Sequence, residues 1–291
     1  MEAFLTRQCS GISERISLSN NKIDNETEDT KMLIDWISEE NTVRTAQYWN
    51  DFEKEKEKVF NISDGDFKKL EGNQHLGDIY NHLVEVSDDQ DIVFKEKQVL
   101  SLAAGTCWLE GRFFKDKDIK RLMAIDFSKH RIHDLALLTM KHYKLAEKVD
   151  LVYGSILDLK IKDQSQDVVL LSQAFHHINE PIRLLSEIKR VLKPNGVVII
   201  IGEHYYNFKI KIIHIAKHFA KYFLNYKKYR DIHSFIPSYQ ALFPPCYEKG
   251  DIHYSSLEYH HMFMGTGFEY KHFIDKTKTI QAFVLNLNEK N

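Results

Sequence analysis

The alternation that begins near residue 97 constrains this chain more than any other feature. Short apolar runs, "QVLSLAA", "RLMAID", "DLVYG", "DVVLLSQA" and "GVVIIIGE", are separated by "WLEGRFF", "SKHRIHDLALLTMKHYKLA" and "EPIRLLSEIKRVLK", which carry helical spacing. The runs are too short for helices and rich in Val, Ile and Leu, as strands buried on both faces are. Strand and helix in turn require βαβ crossovers, so the expected fold is α/β with a doubly wound, mostly parallel sheet. Two closing segments, "FEYKHFID" and "TIQAFVLNL", bring the expected sheet to seven strands. "LKPNG" marks the helix-to-strand boundary before the fifth run.

The rest of the chain is organised around that core. Residues 1–30 are polar and irregular and read as a flexible arm. Residues 31–92 read as a helical extension built from "KMLIDWISEE", "NTVRTAQYWNDFEKEKEKVF" and "LGDIYNHLVEV". The α/β domain spans 93–291 and is interrupted at 205–255 by a helical lid. The lid opens with a basic, aromatic-rich helix over 207–230 and then breaks up at "FIPSYQALFPPCYEKGD", which holds three of the five prolines. That helix reads first as a packed element with a solvated lysine face; weak contact with a membrane surface is the minor reading.

Composition removes several classes of function. A formal net charge of −2 gives no global basic field for nucleic acid, and none is expected as a partner. No run of 18 apolar residues suggests a membrane span. Three scattered cysteines (Cys9, Cys107, Cys246) and an N-terminus without a signal-like pattern point to a reducing cytoplasm. His253, His260 and His261 gather late in the chain, but adjacent helical histidines point about 100° apart, and no metal site is expected. The sequence carries no signal for oligomeric state.

In open α/β sheets ligands bind where strands end, so the residues after each run carry the chemistry. After the first come Ala103, Ala104, Gly105 and Thr106, small enough for backbone N–H groups to approach a ligand. After the second comes Asp126, twenty-one positions beyond Gly105, where a carboxylate can accept from both hydroxyls of a ribose. After the third comes Ser155; after the fourth Gln173, His176 and His177; after the fifth Glu203, His204, Tyr205 and Tyr206. A nicotinamide dinucleotide fits poorly. Its pyrophosphate needs a close approach to the helix start, and "AAGTCW" places Cys and Trp there.

From Val99 to Glu203 the chain resembles the class I S-adenosylmethionine-dependent methyltransferases, in particular the small-molecule group. The likeness rests on "LSLAAGTCW", "AID", "AFHHINEPIRLLSEIKRVLKPNGVVII" and the closing "GTGFE". It implies a Rossmann-like fold, S-adenosyl-L-methionine as cofactor and methylation of a small molecule at oxygen, nitrogen or carbon. It also implies roles by position. Ser101, Ala103, Gly105 and Thr106 would face the methionine end, and Asp126 the ribose, with Phe127 beside the adenine. Ser155 and Ile156 would line the adenine edge, and Gln173 and Ala174 would sit under the sulfonium.

The departures from that family lie in the first loop. Ser101 stands where an acid is usual, and Ala103 and Cys107 stand where glycines are usual. Ala103 is expected to manage if its φ is negative. Methyl transfer needs mainly proximity and alignment, with a base where the acceptor is protonated. His176, His177 and Tyr205 are the catalytic candidates, against a purely packing role. Trp49 and Tyr48 in the helical extension read first as core packing, with closure of the cofactor site from above as the minor reading. Two other readings stay open: another S-adenosylmethionine reaction, by cyclisation or aminocarboxypropyl transfer, and a non-catalytic binding protein on the same fold.

Overall fold

The computed structural model describes residues 33–36, 64–205, 208–224, 252 and 254–288. The expected 1–30 arm, the "NTVRTAQYWNDFEKEKEKVF" helix with Tyr48 and Trp49, and the lid over 225–251 lie outside them. Strands β1 (Leu33–Asp35), β2 (Gln98–Leu102), β3 (Arg121–Asp126), β4 (Val149–Tyr153), β5 (Gln166–Ser172), β6 (Leu192–His204), β7 (Phe268–Ile274) and β8 (Ile280–Leu287) form one sheet, ordered β1-β4-β3-β2-β5-β6-β8-β7. Every pair from β1 to β6 is parallel, and β8 runs antiparallel to both β6 and β7. The chain steps outward in one direction from β2 to β4, then returns to the other side of β2 with β5. That reversal is the switch point where a ligand crevice opens.

Side-chain alternation along the strands divides the core into two layers. Val99, Ala124 and Leu170 face one helical layer, while Leu100, Leu102, Ile125 and Leu171 face the other. Helix α2 (Gln74–Asp89) follows α1 (Asp64–Glu71) and begins at Asn73, whose side chain accepts the Leu76 N–H. It buries Ile79, Leu83 and Val86 in the core shared with Val99 and Ile199, so this part of the extension belongs to the α/β body. On the opposite face, α5 (Pro181–Val191) starts at a proline and buries Leu184, Leu185, Ile188 and Val191. Helices α3 (Trp108–Phe114) and α4 (Ala136–His142) complete the crossovers, α6 (Phe208–Leu224) follows β6, and α7 (Ser256–Gly265) opens with a Ser255–Glu258 capping box.

Three expectations are corrected. Among the described residues the sheet has eight strands, not seven. The extra one is Leu33–Asp35, inside the segment read as the first helix; it pairs Leu33 with Leu151 and covers the free edge of β4. Second, "LKPNG" stands at the helix-to-strand boundary as expected, but not as an independent turn. It is an outward bulge at the start of β6, where the partners of Gln166 and Val168 are Leu192 and Val197. Third, the helix expected after Asp126 begins as a wide π turn over His130–Leu135 before tightening into α4.

Candidate functional site

The parallel strand ends bring the expected cofactor residues together: Ser101 on β2 with Ala103, Gly105 and Thr106 after it, Asp126 and Phe127 at β3, Ser155 and Ile156 after β4, and Gln173 and Ala174 after β5. The turn after β2 alternates in hand. Ala103, Gly105 and Cys107 all have left-handed φ, at 53°, 55° and 54°. The expected negative φ at Ala103 is therefore corrected. The backbone keeps a path suited to three glycines, at a cost of about 1–2 kcal/mol for each of the two residues with a Cβ.

Asp126 fixes that turn. Its Oδ2 accepts the Gly105 N–H at 2.8 Å and its Oδ1 accepts the Ser128 N–H at 2.8 Å. Burial pushes its carboxyl above the usual range, opposed by Arg131 and by the N–H groups of Ser128, Gly105 and Phe127. The Arg131 guanidinium lies against the turn: a Cβ built on Gly105 would meet its central carbon at 3.3 Å. Ser101 lies beneath the loop, fully buried, and donates to Glu110 Oε1 at 2.6 Å. Burial, reinforced by Asp126 and offset by the Ser101 bond, raises Glu110 to about 6. A carboxylate is thus present below the loop, supplied from the first turn of α3. Cys107 is buried beside it, and burial plus the neighbouring carboxylates push its thiol well up, which makes it an unreactive structural thiol.

The adenine side is lined differently. Gly154 is pressed by Trp36, whose ring carbon Cε3 would stand 2.9 Å from an added Cβ. Ser155 Oγ accepts the Leu157 N–H, and Ile156 is buried. On the floor, Gln173 also has a left-handed φ of 52° and packs over Gly202. Its side-chain oxygen lies 3.2 Å from His75 Nε2, so α2 contributes to the site.

Beyond the floor lies a second buried carboxylate. Gly202 (φ 76°) sits at a bulge of β6 that sets Glu203 under the turn after β5. Glu203 Oε1 accepts the Phe175 N–H at 3.1 Å; its Oε2 accepts from His176 Nδ1 and from the Tyr259 hydroxyl, each at 3.0 Å. Burial alone would raise this carboxyl, but His176, Tyr259 and His204 outweigh it and hold it below its ordinary value. The His176 ring lies 4.2 Å from that of His177 and 5.0 Å from that of His204. Tyr205 is not brought to this cluster. Its ring faces His272 at 6.3 Å, toward the antiparallel edge.

Sequence reading passed over Glu110, Arg131, Trp36, His75 and Tyr259, and listed Glu203 without a role. The available signal for Glu110 was an acid inside the otherwise apolar "WLEGRFF". Among the described residues no cluster of three His, Cys, Asp or Glu side chains could hold a metal.

The donor set suits a cationic ligand with vicinal hydroxyls. Two buried carboxylates, Glu110 and Asp126, lie near each other under a turn of small side chains, with Arg131 acting on Asp126, whereas a diphosphate would meet both carboxylates. S-adenosylmethionine carries a sulfonium, an ammonium and ribose hydroxyls, and these residues fit it.

Comparisons with known proteins agree. Residues 100–200 match the model of a methyltransferase domain. The chain is 28% identical over 102 residues to a demethylmenaquinone methyltransferase of Chlamydia felis (strain Fe/C-56), covering 35% of this chain and 42% of that one. It is 31% identical over 106 residues to a demethylmenaquinone methyltransferase of Clavibacter sepedonicus, covering 36% and 40%. The matched stretch thus spans less than half the length of either relative. Among solved structures, the [4+2]-cyclase SpnF superposes with a TM-score of 0.55 at 14% identity, over 74% of this chain and 83% of that one, a likeness of fold.

Proposed function

We propose that this chain, whose residues 100–200 match the model of a methyltransferase domain, uses S-adenosylmethionine to methylate a small-molecule acceptor at oxygen, nitrogen or carbon. The observation that carries this reading is the presence of two buried groups at the same, carboxyl edge of the parallel strands: the Asp126 carboxylate holding the loop after β2, and the His176–Glu203 pair closing the turn after β5. The names of the demethylmenaquinone methyltransferases support a small-molecule acceptor.

In this reading Asp126 accepts from the ribose hydroxyls with the lone pairs its backbone bonds leave over, and the Ala103–Thr106 turn lies along the methionine end. Phe127, Ser155 and Ile156 enclose the adenine, and Gln173 and Ala174 form the floor. The bound cofactor supplies an activated methyl group on its sulfonium. The chain's task is then alignment and removal of the acceptor's proton. With Nδ1–H committed to Glu203, His176 takes that proton at Nε2, and the Glu203 carboxylate stabilises the resulting imidazolium. His177 packs against this base, and Tyr205 is given no part in proton transfer.

The fold neighbour named as a [4+2]-cyclase keeps a second reading open, in which the same domain serves another reaction. Product analysis separates the two. Incubation with S-adenosylmethionine and an acceptor pool of small metabolites is expected to yield S-adenosylhomocysteine and a product heavier by one methyl group. Accumulation of methylthioadenosine instead would assign transfer of the aminocarboxypropyl tail, and turnover of an acceptor with the cofactor unconsumed would assign cyclisation.

A further inference from the structure

Helix α6 presents its apolar side outward. Ile212, Ile213, Phe223 and Leu224 are exposed at 48%, 51%, 64% and 86%, and Ala216 and Ala220 are exposed between them. At helical spacing these six residues share one face about 120° wide. Ile215, His218, Phe219 and Tyr222 are half-buried on the other side, and Lys217 is exposed at the edge of the apolar face. A helix packed in the usual sense would turn its large apolar side chains inward. Single exposed apolar residues are ordinary, but four large ones within thirteen positions of one helix form a patch.

The charge around the patch selects its occupant. Between Glu203 and Asp231 the sequence holds no acid, while Lys209, Lys211, Lys217, Lys221, Lys227, Lys228 and Arg230 are all basic. Two copies of a segment with seven bases and no acid would repel one another. An anionic surface that also accepts apolar side chains satisfies both features at once. The helix starts four residues after His204, so whatever it lies on is close to the mouth of the site.

We propose that α6 docks this face into the headgroup region of a membrane containing anionic lipid, so that the site opens next to the bilayer surface. Docking depends on apolar insertion and on charge, and it stands apart from the acceptor reading above.

Vesicle flotation of the full chain tests it. The protein is expected to partition at least tenfold more strongly onto vesicles of phosphatidylcholine with phosphatidylglycerol than onto phosphatidylcholine alone, and less as salt is raised. The double variant Ile213→Asp, Phe223→Asp should lose that binding at least tenfold. Because both side chains are exposed, its thermal midpoint and its S-adenosylhomocysteine affinity should be unchanged, which separates lost docking from misfolding. Lys217→Glu should weaken binding by a smaller factor. Failure of the wild-type chain to float with phosphatidylglycerol vesicles at low salt would overturn the proposal. So would equal flotation of wild type and double variant, or a wild-type dimer in sedimentation that the double variant turns into a monomer, since a second copy would then be the occupant.

Discussion

Glu110 and Glu203 are both buried carboxylates at the mouth of the same sheet, and they titrate in opposite directions. Glu110 has one side-chain donor, Ser101, and a second acid, Asp126, nearby; it is held up at about 6. Glu203 has His176, Tyr259 and the Phe175 N–H, with His204 close by, and it is held down. Burial is common to both, so it decides neither. The count and charge of the partners decide. The Glu110 and Asp126 side is left short of donors and positive charge, which suits a cationic ligand, while Glu203 is satisfied by donors of the chain itself.

The largest expected effect lies on the self-satisfied side. Glu203→Ala strands His176, Tyr259 and the Phe175 N–H together, and stability in urea should fall by about 3–5 kcal/mol. A loss under 1 kcal/mol would mean that the network carries no weight. The Glu110 side should respond in the opposite sense. Its folded value of about 6 exceeds the unfolded 4.5, so its contribution is complete below pH 4.5 and is lost as pH rises through 6. The total loss is about 2 kcal/mol. Glu110→Gln should therefore stabilise the ligand-free protein by about 1–2 kcal/mol at pH 8 and flatten the stability profile between those two pH values. For Glu203, with a lowered value, the contribution is present above the ordinary glutamate range and is lost as pH falls below it. Glu203→Gln should remove the loss of stability that Glu203 adds as pH falls below the ordinary glutamate range, and an unchanged acid limb of the profile would break the comparison.

Smaller effects probe the loop itself. Asp126→Ala removes the acceptor for Gly105 N–H and Ser128 N–H and should weaken S-adenosylhomocysteine binding at least tenfold, about 1.4 kcal/mol by calorimetry. Ala103→Gly relieves a left-handed Cβ while adding freedom to the unfolded chain, for a net gain of about 0.5–1 kcal/mol in thermal or urea unfolding. If it destabilises instead, the loop does not hold the conformation described.

The sheet was legible in the sequence because strands buried on both faces leave uninterrupted apolar runs, and the segment from Val99 to Glu203 has five of them. Strand β1 was not legible. Leu33–Asp35 is three residues long inside "KMLIDWISEE", whose apolar spacing reads as helical, and is held by main-chain pairing with β4, which no side-chain period reveals. The strand-end positions of the site could be read from chain order, since each βα junction falls at the same edge. The left-handed path of the loop was hidden because Ala103 and Cys107 occupy positions where glycine would have announced it. The Glu203–Tyr259 bond joins residues 56 apart in the chain and follows from the antiparallel return through α7, which local pattern does not encode. Tyr205 was a candidate because it follows the fifth strand run, and the end of β6 turns its ring toward His272.

The central claim is that the strand ends form a working S-adenosylmethionine site despite the Ser101, Ala103 and Cys107 departures. Isothermal titration of the full chain with S-adenosylmethionine and with S-adenosylhomocysteine tests it most directly. The account predicts one-to-one binding of both with dissociation constants on the order of micromolar, near −8 kcal/mol, and weaker binding to Asp126→Ala. No detectable heat from either ligand at millimolar concentration, with the chain folded, would contradict it.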